Sequence, residues 1–334
     1  MTTPYAGSNI TGSSGLIAVD KVANVIRFYD PESLREMKSF AAPEPAAHEL
    51  AIAHDRRLAF VPLYGDGIYG SNRKPNNKVL VIDLEAQALA DVITLSEFTA
   101  PHGMVATSDA KLWVVCDIPN KLLLVDPERR AVEAAYDCPA KGAHLLAMLP
   151  DESKLYVSAK EGDLAVFDCR RRSFTARVPL RAPGVMSGNG SGSEGLMPTA
   201  DGRRLIVIDN ARNDLRSIDT TTDSEVDRVL LAQCPLSNPK RSRLAKLMFS
   251  PDGRQLVVTS YAGGLAWVID AADLRGQAIV PVAKGPQGMA FPPDVRSVIV
   301  ASHDSGLLTR IDLASKRAVA ATDGGAGIEV LAFY

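Results

Sequence analysis

The chain has 334 residues, a formal net charge of −2 and 46% hydrophobic residues. This length and composition can bury a large core, while the near-neutral charge gives no general reason to expect a nucleic-acid or membrane partner. The four cysteines show no spacing typical of haem or zinc binding, and no apolar run is long enough to span a membrane.

The first residues, MTTPYAGSNITGSSG, contain neither the basic stretch nor the apolar stretch of a signal peptide. We therefore expect a cytoplasmic protein with reduced thiols. The GNG and GSG sequences within 188–192 do not follow a strand and open a helix, as a dinucleotide fingerprint would. No nucleotide, haem or flavin is expected.

A short apolar stretch that ends in aspartate recurs along the chain. Its seven copies end at Asp30, Asp83, Asp126, Asp168, Asp219, Asp270 and Asp312. Successive copies lie 42 to 53 residues apart, and a base period just above forty is typical of four-stranded propeller blades. No long segment with a period of 3.6 interrupts the pattern, so little helix is predicted.

Each unit contains signals for four strands in a fixed order. An inner strand starts after His, Glu or Gln, as in HGMVAT and QGMAFP, and a turn with Asp follows it. A β-branched strand such as LIVIDN comes second, and the Asp-terminated strand comes third. A more polar strand such as EVDRVLLA closes the unit.

These signals predict an all-β protein consisting of a single seven-bladed β-propeller over residues 1–334. Blade 1 lacks an inner strand, and GIEVLAFY at the end of the sequence can supply it, which closes the ring. The predicted bounds are 15–43 plus 324–334 for blade 1, 44–99 for blade 2, 100–141 for blade 3, 142–182 for blade 4, 183–233 for blade 5, 234–285 for blade 6 and 286–323 for blade 7.

The stretches SPDGRQLVVTSYAGGLAWVIDAADLRGQAIV and PHGMVATSDAKLWVVCDIPNKLLLVDPERRAVEAAY resemble repeats of the YVTN, or YncE-like, seven-bladed propeller family. This family neighbours the lactonase-type propellers. The resemblance covers nearly the whole chain, although YVSA and VVTS stand in place of the YVTN tetrapeptide. It implies the fold and not a reaction, because the shared motif belongs to the blade scaffold.

Aligning the units predicts which residues meet at one mouth of the central channel. The first residues of the inner strands are His48, His102, His144, Glu194, Ala245, Gln287 and Glu329. The ends of the second strands fall near Lys21, Leu63, Asp117, Lys160, Asn210, Tyr261 and His303. Four of the five histidines thus lie at equivalent positions. A one-residue error in register would put Glu49 in place of His48.

Two chemistries fit this ring of side chains. His48, His102, His144 and Glu194 can bind one divalent metal ion, such as zinc, iron or manganese, with positions left open for water or substrate. Without a metal, the same residues and His303 suit proton transfer in lactone or ester hydrolysis, elimination or isomerisation. No nucleophile elbow is present, so a covalent mechanism is disfavoured.

Three insertions, 64–77, 183–193 and 233–243, are predicted to lie on the same face. The Gly/Ser-rich insertion is either a lid or a flexible linker. Basic residues near the ring either bind an anionic substrate or are simply solvated. These are Lys21, Arg73, Lys74, Lys160, Lys240, Arg241 and Arg243. The candidate substrate-binding residues are Tyr64, Tyr69, Lys160, Arg241, Tyr261, Gln287 and Glu329.

Two functional hypotheses follow. The first is a small-molecule lyase, hydrolase (lactonase-like) or isomerase acting at the channel mouth on an anionic or carbonyl-bearing substrate. The second is a non-catalytic propeller that binds a ligand or protein partner, which is common for this architecture. The sequence leaves the substrate, the reaction and the oligomeric state open.

Overall fold

The computed structural model describes residues 14–67, 69–180, 193–210, 214–232 and 244–334. Throughout these ranges the regular secondary structure is β-strand, and no helix is present that could cross a membrane. The strands form seven antiparallel sheets of four strands each, arranged in a ring. The prediction of an all-β, seven-bladed propeller is confirmed.

The strands are numbered in chain order, and each blade contributes one strand to each of four concentric positions. The innermost strands, from blade 1 to blade 7, are β28 (Ile328–Phe333), β4 (Ala51–Ile52), β8 (Thr99–Ala106), β12 (Ala143–Met148), β16 (Leu196–Pro198), β20 (Leu244–Phe249) and β24 (Pro286–Ala290). The second strands are β1 (Leu16–Asp20), β5 (Leu58–Gly65), β9 (Leu112–Ile118), β13 (Lys154–Ala159), β17 (Arg204–Asp209), β21 (Gln255–Ser260) and β25 (Ser297–Ser302).

The two outer positions follow in the same blade order. The third strands are β2 (Val25–Tyr29), β6 (Pro75–Asp83), β10 (Lys121–Asp126), β14 (Asp163–Asp168), β18 (Asp214–Asp219), β22 (Leu265–Asp270) and β26 (Leu307–Asp312). The outermost strands are β3 (Glu36–Ala41), β7 (Ala88–Thr94), β11 (Ala131–Asp137), β15 (Ser173–Pro179), β19 (Ser224–Leu230), β23 (Gln277–Pro281) and β27 (Arg317–Asp323).

The ring is closed by pairing the last strand with the first. β28 lies antiparallel to β1, with Leu16 opposite Phe333 and Val19 opposite Val330. Asp20, at the end of β1, accepts the backbone N–H groups of Ala326 and Gly327 and so anchors the chain that leads into β28. Closure thus gives β1 the inner partner strand that the other six second strands find within their own units.

The hydrophobic core lies between neighbouring blades. One cluster joins blades 1 and 2, and similar clusters of buried aliphatic and aromatic side chains fill the other gaps around the ring. The inner and second strands are buried on both faces, whereas the outermost strands alternate between exposed and half-buried residues, as in β11. This explains why apolar runs and polar outer strands alternate in the sequence.

The recurrent aspartate marks a turn. In six blades its side chain accepts the backbone N–H of the residue three positions later, as Asp126 does from Arg129. The next residue then adopts a left-handed conformation, such as Arg130 with φ of 56°. This tight turn sends the chain directly into the outermost strand, so the motif belongs to the scaffold.

Candidate functional site

Three histidines lie side by side on the inner segments of three neighbouring blades. His102 lies in β8 and His144 lies in β12, while His48 lies just before β4. The ring centroids are 4.3 Å apart for His48 and His102, and 4.1 Å apart for His102 and His144. All three are more than nine-tenths buried. The inner strands of blades 2, 3 and 4 therefore bring these side chains together, as the alignment predicted.

A carboxylate flanks the row at the His48 end. Oε2 of Glu329 lies 3.4 Å from Nδ1 of His48 and 3.0 Å from the ammonium of Lys21. The Gln287 amide donates a hydrogen bond of 2.7 Å to the other oxygen of Glu329. Two of the predicted substrate-binding residues, Gln287 and Glu329, thus bond to each other beside His48.

The His144 end repeats this arrangement. Oε2 of Glu194 lies 3.7 Å from Nδ1 of His144, and its Oε1 accepts a hydrogen bond of 2.8 Å from Lys160. The row therefore has a Lys–Glu–His group at each end and His102 at its centre. Because each lysine lies against a glutamate, neither contributes an uncompensated positive charge to the site.

Two of the imidazoles, those of His48 and His102, are held in their neutral form. Burial lowers the pKa of His48 to about 4, although the Glu329 carboxylate opposes this effect. Burial and the two neighbouring imidazoles lower the pKa of His102 well below its usual value. Nδ1 of His48 and Nδ1 of His102 are buried without a hydrogen-bond partner among the described residues. Neutral imidazole is the form that binds a metal ion.

Glu49 completes a candidate metal site. Burial would raise the pKa of Glu49, but the nearby Lys246 ammonium and smaller contributions from other neighbouring groups together lower it, so Glu49 is ionised. Within the described ranges, one set of three potential ligands has all its ligand atoms within 4.8 Å of one another: His48, Glu49 and His102. Two imidazoles and a carboxylate match zinc and related ions. The set differs from the predicted one, because His144 and Glu194 lie beside it rather than in it.

Tyr64, which was predicted to begin the 64–77 insertion, lies in β5 and packs against the row. Its ring centroid lies 5.3 Å from that of His48 and 5.2 Å from that of His102. Its hydroxyl donates a hydrogen bond of 2.5 Å to Asp117. Burial raises the pKa of Asp117 to about 6, opposed by this hydrogen bond and by Lys160. Tyr64 is therefore held by Asp117 while its ring packs against His48 and His102.

The remaining predicted residues lie elsewhere on the rim. Tyr69 donates a hydrogen bond of 3.3 Å to Glu161. His303 and Tyr261 lie near each other at the ends of β25 and β21, with ring centroids 6.4 Å apart, and Tyr261 bonds to Asp304. They form a separate pair because second strands end farther from the channel axis than inner strands do. Arg241 and most of the 183–193 insertion lie outside the described residues.

Two asparagines that sequence reasoning missed position the outer histidines. Asn24 Oδ1 accepts the N–H of Ala47, and Asn120 Oδ1 accepts that of Ala143, at 3.2 and 2.8 Å. These alanines directly precede His48 and His144. Both amides also donate to two carbonyls in the preceding connection. The signal was available, since each Asn directly precedes a third strand, in NVIRFYD and NKLLLVD.

Gly103 permits the close approach of blades 3 and 4 at the row. A Cβ atom there would lie 2.6 Å from the carbonyl oxygen of His144 and 2.7 Å from Cα of Leu145. We expect Gly103→Ala to displace His144 and to lower the free energy of unfolding by about 1–3 kcal/mol, as measured by denaturant titration. Gly276→Ala is the control, since its Cβ would meet one side chain at 3.3 Å. Equal free energies of unfolding for the two variants would contradict the role of Gly103 in the close approach of blades 3 and 4.

No family model matches the chain, and no curated protein matches it. Among solved structures, it is similar to the Kuenenia stuttgartiensis hydrazine synthase, with a TM-score of 0.68, 16% identity, and coverage of 87% of this chain and 90% of that chain. It is also similar to a functionally unknown protein from Desulfotomaculum acetoxidans, with a TM-score of 0.72 and 13% identity. This match covers 96% of this chain and 99% of that chain. At these identities, the likenesses show the seven-bladed propeller fold alone.

Proposed function

We propose that the protein is a small-molecule enzyme whose active site is the histidine row, with one divalent metal ion held by His48, Glu49 and His102. The observation that carries the proposal is the packing of three buried imidazoles at centroid distances of 4.3 and 4.1 Å. Burial disfavours charge on these rings, so their lone pairs remain available to a cation. The repeat resemblance supports membership in the YVTN/YncE-like family.

The flanking residues fit the roles that a metal centre needs. Glu329 lies by Nδ1 of His48, where a carboxylate can orient a ligating imidazole and leave Nε2 for the ion. When bound, such an ion polarises a carbonyl oxygen or acidifies a water molecule. His144 lies next to this set, with Nδ1 facing Glu194, and its Nε2 can take up or release a proton near the reacting atoms.

The charges favour one substrate class. Lys21 and Lys160 were candidates for binding an anion, but each is paired with a glutamate. A carbonyl-bearing substrate is therefore better supported than one that is recognised by its negative charge alone. The proposed reaction is metal-assisted hydrolysis, elimination or isomerisation next to that carbonyl, with Tyr64 packed against the imidazoles of His48 and His102.

The test is elemental analysis of protein purified without a histidine tag, after growth with added zinc, iron and manganese. We expect about one equivalent of one of these metals per chain. Turnover of lactones, esters or α-hydrogen-bearing carbonyl compounds should be lost on chelation and restored by the metal. Protein without metal and without turnover that still retains a ligand would instead indicate the non-catalytic binding propeller.

A further inference from the structure

An ion pair bridges the central channel next to the histidine row. The Lys246 ammonium donates a hydrogen bond of 3.0 Å to Oε1 of Glu49. Both residues are almost fully buried, at 5% and 2% exposed. Glu49 belongs to blade 2 and Lys246 to blade 6, so the pair crosses the ring rather than linking neighbouring blades.

Alternating glycines occupy the same strand position as the two residues of this bridge. In the aligned inner strands, the position of Glu49 and Lys246 is occupied in blades 3, 5 and 7 by Gly103, Gly195 and Gly288. A Cβ at each of these glycines would meet the next blade's inner strand within 3.1 Å. The glycines thus let neighbouring strands approach closely, while blades 2 and 6 send long charged side chains across the axis.

The bridge and the candidate metal site share one carboxylate. Glu49 is both the partner of Lys246 and a member of the set with His48 and His102. A divalent ion on Glu49 would lie within a few ångströms of the buried ammonium, where repulsion between like charges is poorly screened. The buried ion pair itself is weak support for stability, so a role in the site is the better explanation for keeping it.

We propose that Lys246 is a positioning residue that holds Glu49 in the metal-free protein and lowers the affinity of the site for the divalent ion relative to a site without this ammonium. This rests on the proposed function, because it takes the ion to bind at His48, Glu49 and His102. A purely structural role for Lys246 predicts the opposite change in metal affinity when Lys246 is replaced. Loss of a scaffold contact would then disorder Glu49 and weaken metal binding.

The test is the zinc affinity of the wild type, Lys246→Met and Lys246→Gln, each measured by competition with a chromophoric chelator. We expect both variants to bind zinc at least about tenfold more tightly, since both remove the repelling charge of the ammonium. Zinc should also raise the melting temperature of both variants more than that of the wild type. Lys78→Met is the control, since it removes the lysine of a half-exposed ion pair with Glu44. Its zinc affinity should stay within about twofold of that of the wild type.

The zinc affinities distinguish failure of the proposed role of Lys246 from failure of the proposed metal site. Unchanged or weaker zinc binding by folded Lys246→Met and Lys246→Gln, with binding by the wild type, would overturn the role of Lys246 and leave the proposed metal site standing. If Lys246→Met does not fold, Lys246→Gln carries the comparison, because its amide can still hydrogen-bond to Glu49. Absence of zinc binding in every variant, the wild type included, would overturn both the inference and the metal site.

Discussion

Replacing Glu49 with methionine is expected to lower the free energy of unfolding of the metal-free protein by about 3–5 kcal/mol, because it leaves the Lys246 ammonium buried without its carboxylate. The measurement is denaturant unfolding in the presence of a chelator. The result would show that the channel interior tolerates the charge of Lys246 only while Glu49 is ionised beside it.

The double variant Glu49→Met/Lys246→Met tests whether the lost stability comes from the unpaired charge. Two apolar side chains of similar length remove both charges, so we expect most of the lost stability to return. Glu44→Met, which breaks the half-exposed pair with Lys78, should cost less than about 1 kcal/mol. A double variant as unstable as the sum of the two single variants would show that Glu49 and Lys246 are not coupled.

Replacing His102 with alanine is expected to weaken metal binding more than about 100-fold and to abolish turnover. His102 is the central ring of the row and a member of the candidate ligand set, and loss of even a residue that supports a ligand commonly costs 10–100-fold. The measurement is metal stoichiometry and affinity, with circular dichroism to confirm that the propeller remains folded.

His54→Ala is the matched control for this experiment. His54 is the one histidine away from the predicted mouth, and it is exposed in the turn after β4. We expect its replacement to leave metal content and turnover unchanged. Retention of stoichiometric metal by His102→Ala would exclude the proposed site, and equal loss in both variants would point to non-specific binding by histidine.

The propeller could be predicted from the sequence because its periodic signal is local. Each aspartate closes its own turn within three residues, so the motif appears in every unit whatever the rest of the chain does. The histidine row followed from the same alignment, since the first residues of neighbouring inner strands must lie around one channel. His48, His102 and His144 needed no information beyond their place in the repeat.

The ion pair between Glu49 and Lys246 could not be predicted in the same way. Glu49 and Lys246 are 197 residues apart, and the repeat does not specify which side chains meet across the axis. A partial signal existed, because Lys246 interrupts the apolar strand LAKLMF. The separate position of His303 was also hidden, since the alignment gives height along the channel but not distance from its axis.

Ring closure has a consequence for how the site is made in a cell. Asp20 and Gly327, which bond where β28 enters its sheet, are 307 residues apart, and the same strand carries Glu329 to His48. At about 5–20 residues per second, a ribosome needs roughly 15–60 s to make the intervening chain. Throughout that time β1 has an unpaired edge that can pair with other chains. The carboxylate beside His48 therefore arrives together with the strand that removes this hazard, so a complete histidine site marks a chain that has closed its ring.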